Sequence, residues 1–306
     1  MERAYLGGIP VSRIVLGCGN FGGIGSSPAF FGQGETEAEA FAVMDAAWDA
    51  GITTFDTADA YGGGRSESFI GGWVRSRKPD GLVLSTKTFN PMAEGEDHGL
   101  APARVRRQVE SSLERLGVER VDLFLTHDWD DDVPVAETAA TLDELVGEGK
   151  IGAYGLSNVD GARLTEALAE GSFAWVQNSY SLLDREAEKE VLPLCAARGL
   201  GFEPFSPLAG GWLTGKYRRG ADVPAGSRMT MRPEPYEHLQ EDAVFDRLER
   251  LEAMGDPATL ALSWLLSDPR VTAIVVGPRR PAHMTPALDA APLDAAQRDE
   301  ISALFS

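Results

Sequence analysis

Asp56, Tyr61, Lys87 and His127 stand at the ends of apolar, strand-like runs or just beyond them. Asp56 ends ITTFD, Tyr61 closes TADAY, Lys87 ends LVLSTK and His127 ends VDLFLTH. Each of these side chains can hold, move or electrostatically tune a proton. Singly, each has an ordinary explanation: a lysine reaching solvent, an aspartate capping a turn, a histidine hydrogen-bonded in place, a tyrosine packed in the core. Together they describe one mechanism. A phenol is a poor acid near neutrality, with a reference pKa of about 10. An adjacent ammonium would lower that value, and Asp56 would hold Lys87 while stabilising its charge. Tyr61 would then donate a proton to an oxygen gaining negative charge. His127 would orient that oxygen or shuttle the proton in the reverse direction. Such a set suits reduction of a carbonyl by hydride, given a hydride donor beside it.

A barrel of parallel strands gathers strand ends into one mouth, and the chain has the elements for it. The opening AYLGGIPVS predicts a small hairpin turned by Gly7 and Gly8. Eight β-rich runs follow: RIVLGC, ITTFD, GLVLSTK, VDLFLTH, IGAYGLS, FAWVQNS, LGFEPFS and VTAIVVG. Helix-length amphipathic segments separate them, which implies parallel pairing through right-handed crossovers. Gly51, Gly117 and Gly199 sit where left-handed helix caps belong, and Asp160 is placed to cap GARLTEALAE. The expected fold is α/β, a (β/α)8 TIM barrel with an N-terminal β-hairpin, occupying residues 1–306 as a single domain. The rhythm breaks after the seventh barrel strand, where a stretch rich in Gly, Pro and Arg runs from Phe205 to Asp242. A connection that long is usually functional or unstructured. It is read here as a lid over the barrel mouth.

The 306 residues, 43% hydrophobic and 25% charged, suit a globular protein with a large core. A formal charge of -19 argues against nucleic acid and anionic membrane surfaces as partners. It also means that a phosphorylated cofactor must find local cations. Cys18 and Cys195 have no paired spacing, which suits a reducing cytoplasm. The opening MERAYLGG lacks a secretory apolar core, and no run is long enough to span a bilayer. The four histidines are widely spaced, so no metal is expected.

FDTADAYGGGRSE, LSTK and FLTHDWD, in this order and spacing, resemble the catalytic signature of the aldo-keto reductase family. The resemblance extends from LGCGNFGG through VVGPRR, nearly the whole chain, and is similar to bacterial oxidoreductase branches acting on sugars, small aldehydes and ketones. It implies Tyr61 as proton donor, Lys87 and Asp56 as its tuning pair, and His127 as substrate orienter. It further implies a nicotinamide cofactor. Ser157, Asn158 and Gln177 would hold the carboxamide, although Ser-Asn pairs also make turns and Gln177 could bridge backbone. Phe205 takes the place of a stacking aromatic where close relatives carry Tyr, and stacking needs only a π-face. Ser206, Leu208, Gly210 and Lys216 match the stretch around the pyrophosphate. Arg279 and Arg280 would pair a 2′-phosphate, which favours NADPH over NADH. At the adenine end His283, Pro286 and Ala287 depart from the family pattern, weakening adenine recognition.

Phe21, Phe89 and Trp129 are the leading candidates to line a mostly apolar substrate pocket, with Phe30, Phe31, Trp212 and residues 229–236 behind them. Arg228 and Arg232 would meet an anionic substrate or simply solubilise the lid. The reading that results is an NADPH-dependent reductase of an aldehyde, ketone or keto-sugar. Two others compete: a non-catalytic NADP(H)-binding module, and a barrel aldolase or lyase using Lys87 as a Schiff base.

Overall fold

The computed structural model describes residues 2–306. The hairpin forms as expected: β1 (Arg3–Leu6) pairs antiparallel with β2 (Ile9–Ser12). Gly7 and Gly8 make the two-residue turn in the left-handed region, at φ 54° and 79°. Each of the eight predicted runs then contains a strand. They are β3 (Ile14–Gly17), β4 (Thr54–Asp56), β5 (Val83–Thr88), β6 (Val121–Thr126), β7 (Ile151–Ser157), β8 (Trp175–Gln177), β9 (Gly201–Phe202) and β10 (Ile274–Val276). Several are shorter than their runs; in LGFEPFS, Pro204 has no N–H to extend a ladder.

The strands form one parallel sheet in the order β10-β3-β4-β5-β6-β7-β8-β9. Its two edges are also joined. The Thr272 N–H donates to Phe202 O at 2.8 Å and the Val275 N–H to Pro204 O at 2.9 Å. This is the (β/α)8 arrangement. The helices outside are α1 (Glu37–Asp49), α2 (Arg65–Arg77), α3 (Pro102–Leu116), α4 (Val135–Gly147), α5 (Gly161–Glu170), α6 (Val191–Arg198), α7 (Arg228–Met231), α8 (Asp242–Met254), α9 (Pro257–Leu266), α10 (Thr285–Asp289) and α11 (Ala295–Leu304). Gly51, Gly117 and Gly199 are left-handed as their positions demanded. Asp160 accepts from the Arg163 N–H at 2.8 Å, the cap that its place before α5 predicted.

Two apolar clusters hold the fold. Ile14, Leu16, Phe55, Phe124 and Ile274 turn outward against the helices. Val15, Val83, Leu123, Leu125, Trp175 and Val275 turn inward, and Leu6 and Val11 of the hairpin join them, so the hairpin plugs one end. Because side chains alternate along a strand, continuing the inward set toward the strand C-termini yields Asp56, Lys87, Ser157, Gln177 and, just beyond β9, Glu203. An apolar floor thus carries a polar layer. Among the described residues no helix is long and apolar enough to cross a membrane.

Candidate active site

Asp56 and Lys87 are buried at 3% and 1% exposure. Lys87 Nζ donates to Asp56 Oδ2 at 2.6 Å and to Thr57 O at 2.8 Å. Two of its three N–H donors are therefore taken. Burial by itself would lower the Lys87 ammonium, but Asp56, with Tyr61 and Glu203, outweighs it and leaves the pKa above that of an ordinary lysine.

Tyr61 lies on the turn after β4, held by its own N–H to Ala58 O at 3.2 Å. Asp59 N donates to Lys87 O at 2.9 Å and so stitches this turn to β5. Gly62, next in the chain, has φ 61°, and a Cβ there would sit 2.7 Å from the Gly22 carbonyl carbon. Only glycine lets the turn lie this close to the segment after β3. Lys87 Nζ stands 5.3 Å from the Tyr61 ring centroid. The Tyr61 and His127 rings meet edge to face, with centroids 5.4 Å apart and planes at 81°.

The electrostatics differ from the sequence reading in one respect. Burial pushes the Tyr61 phenol above its usual value, and the Lys87 charge pulls it down without cancelling the rise. Tyr61 is therefore held protonated. His127 is lowered to about 3, by burial first and Lys87 second, so its imidazole is neutral at ordinary pH. Its Nδ1 is buried without a partner.

The nicotinamide candidates cluster beside these groups. Ser157 is buried at the end of β7, and Asn158 follows with φ 57°. Asn158 Nδ2 donates to His127 O at 2.8 Å, tying the two strand ends together. Gln177 Nε2 donates to Asp56 Oδ1 at 3.1 Å and to Glu203 Oε2 at 2.8 Å. Phe205 and Leu208 are half-buried, and Ser206 and Gly210 are left-handed at φ 52° and 64°.

Farther out, Lys216, Arg228, Arg279 and Asn20 line one cleft with Gly34, Gly226 and Ser227. Partial burial and the neighbouring Arg228 and Arg279 pull the Lys216 ammonium below its ordinary value. Exposed His283 is lowered too, by burial and then by Arg280, Lys216 and Arg279. These side chains form a local cation cluster on an otherwise acidic chain. Arg279 is not idle, however. It pairs with buried Glu35 and donates to Gly226 O at 2.7 Å and Met231 Sδ at 3.2 Å. Of the two arginines that the sequence assigned to a 2′-phosphate, Arg279 is thus already paired, and Arg280 remains exposed.

The residues proposed to touch substrate divide. Phe21 is fully buried and packs in the outer core. Trp212 is likewise buried, packed on Tyr217 and Phe245. Phe89 and Trp129 are half-buried, the first against His98 with ring centroids 5.9 Å apart, the second under Arg163. The segment 206–241 is partly ordered into two 3-10 stretches, Ala209–Thr214 and Glu234–Leu239, with α7 between them. Arg228 bonds Asn20, and Arg232 lies 5.7 Å from the Phe30 ring centroid.

Residues 13–305 match the model of the aldo/keto reductase family. The chain belongs to that family. The uncharacterized oxidoreductase YrpG of Bacillus subtilis is 37% identical over 91% of this chain and 87% of its own length. An NADH-specific methylglyoxal reductase of Escherichia coli is 32% identical over 93% of this chain and 91% of its own. Among solved structures, the glycerol dehydrogenase of Gluconobacter oxydans superposes with a TM-score of 0.85 at 26% identity, covering 99% of this chain and 95% of that one.

Sequence reasoning missed three acids of this aldo-keto reductase. Glu203 adjoins Gln177, Glu35 pairs Arg279, and Asp59 accepts from Ala60 N at 2.6 Å and from Thr88 Oγ1. The available signal was a charge embedded in an apolar run, as in LGFEPF, where alternation aims it inward.

Proposed function

We propose that this protein is an NADPH-dependent reductase of a small aldehyde, ketone or keto-sugar, with Tyr61 as proton donor. The observation that carries the reading is the buried Lys87–Asp56 pair at 2.6 Å beside the Tyr61 ring.

The residues present suit a nicotinamide cofactor. Both Gln177 N–H groups are engaged by carboxylates, which leaves its carbonyl oxygen as acceptor for a carboxamide N–H. The Lys216, Arg228 and Arg279 cleft supplies cations at a distance from the acidic pair. A bound nicotinamide would supply hydride to the carbonyl carbon. The carbonyl oxygen takes the Tyr61 proton as its charge grows, and Lys87 stabilises the phenolate left behind. Neutral His127 hydrogen-bonds the substrate oxygen. Arg280, with Arg279 once it leaves Glu35, would take a 2′-phosphate. The prior engagement of Arg279 narrows the margin over NADH, for which an E. coli relative is named as specific. Segment 206–241 would act as the lid.

The Schiff-base alternative requires a neutral amine, whereas Lys87 is held protonated by Asp56. The test is oxidation of NADPH and NADH across a panel of small aldehydes, 2-oxoaldehydes and ketones. Tyr61→Phe should keep cofactor affinity and lose roughly 10²–10⁴-fold in turnover. Near-normal turnover would remove Tyr61 as donor. Tight cofactor binding with no turnover by the wild type would favour the binding-module reading.

A further inference from the structure

Glu203 has a fixed relation to the site that the proton-transfer reading does not use. It is 1% exposed, on the chain segment leaving β9. Its Oε2 accepts from Gln177 Nε2 at 2.8 Å, and the same nitrogen donates to Asp56 Oδ1 at 3.1 Å. Asp56 in turn accepts from Lys87. A continuous line therefore runs Lys87–Asp56–Gln177–Glu203 across the polar layer of the barrel. All four side chains are nearly or fully buried.

A side-chain amide has two faces that differ only in the exchange of an acceptor for a donor pair. Turned one way, Gln177 satisfies both carboxylates. Turned the other way, its carbonyl oxygen would confront two carboxylate oxygens in a dry interior, and buried acceptors without donors are costly. Asp56 alone gives one reason for the observed orientation, but its charge is already engaged by Lys87. Glu203 has no cation bonded to it among the described residues; burial and the Asp56 charge raise it to about 7, so above that pH it is a carboxylate that can only accept. Its hydrogen-bonding need falls on Gln177.

We propose that Glu203 is the positioning residue that locks the Gln177 amide, so that its carbonyl oxygen is the group offered to a ligand at the barrel mouth. A ligand donor is thereby selected at this point, and an acceptor rejected. The inference rests on the nicotinamide reading above, because a carboxamide N–H is the donor that reading supplies.

The experiment measures equilibrium binding of NADH, NADPH and ADP-ribose to the purified full chain by calorimetry at about pH 8, where Glu203 is ionised. ADP-ribose shares the nucleotide but has no nicotinamide. Glu203→Met removes both acceptors at similar volume, and Glu203→Ala is the second variant if the thioether is not accommodated. The expected result is roughly tenfold weaker binding of both dinucleotides, about the value of one good hydrogen bond, with ADP-ribose unchanged within about twofold. Glu203→Gln, whose carbonyl oxygen can still accept from Gln177, should restore dinucleotide binding. Equal losses for ADP-ribose and the dinucleotides would assign Glu203 a purely structural role and overturn the proposal. Unchanged dinucleotide binding would overturn it too. A wild-type protein that binds none of the three ligands would instead remove the cofactor reading itself, an outcome separable from the other two.

Discussion

At the scale of the residue, the site is an exercise in placing charge where water is absent. Three buried carboxyls, Asp56, Asp59 and Glu203, lie within the polar layer or beside it, and only Asp56 has a lysine bonded to it. Asp59 is raised to about 7, by burial first, with Glu67 adding to the rise against Thr88 and Arg104. A folded-state pKa above the unfolded one means that the native protein binds the extra proton, so this contribution to stability is present at low pH and lost as pH rises toward 7. Asp59→Asn should therefore gain in melting temperature relative to wild type as pH increases. The difference between variant and wild type should be several degrees more favourable at pH 8 than at pH 5 in paired calorimetric scans. A difference independent of pH would show that Asp59 does not titrate in this range. The inward placement of Asp56 and Lys87 was legible in the sequence because alternation and strand ends determine which side chains point into a barrel. The bonding partners of Asp59 and Glu203 were not, because they come from other strands. Gln177 and Glu203 are remote from Asp56 in the chain and adjacent to it in space.

At the scale of the element, helices α2 and α3 show how tightly the outer ring supports the layer beneath. Glu67 of α2, fully buried, accepts from Thr86 Oγ1 at 2.6 Å on the strand that carries Lys87. Arg115 of α3 donates to the other Glu67 oxygen at 2.7 Å. Gly71 makes this approach possible, since a Cβ at that position would fall 2.1 Å from Arg115 O. Glycine inside a helix is ordinarily replaced by alanine to advantage, by up to about 1 kcal/mol. Here the sign should reverse. Gly71→Ala is expected to cost about 1–3 kcal/mol through overpacking, read from denaturant midpoints at unchanged slope. A stabilised variant would mean that the helices can separate freely. Helix ends marked by Gly51, Gly117, Gly199 and Asp160 were legible because capping is local chemistry. The docking of 206–241 was not, because Arg228 finds Asn20 and Arg279 finds Gly226 across distances that no local pattern encodes.

At the scale of the whole molecule, a chain of formal charge -19 gathers Lys216, Arg228 and Arg279 around one cleft. Raising ionic strength should therefore weaken dinucleotide binding while leaving the buried Lys87–Asp56 pair largely unscreened. Binding constants that do not change between low and high salt would indicate that the cleft is not where phosphates settle. The sheet itself has a further consequence. β10 lies between β3 and the end of β9, so the first barrel strand and the last are neighbours. During synthesis β3 keeps a naked flank until Val276 has left the ribosome. Nascent chains arrested before Ile274 should then be sticky and quickly digested, and release of the remaining residues should make them resistant almost at once.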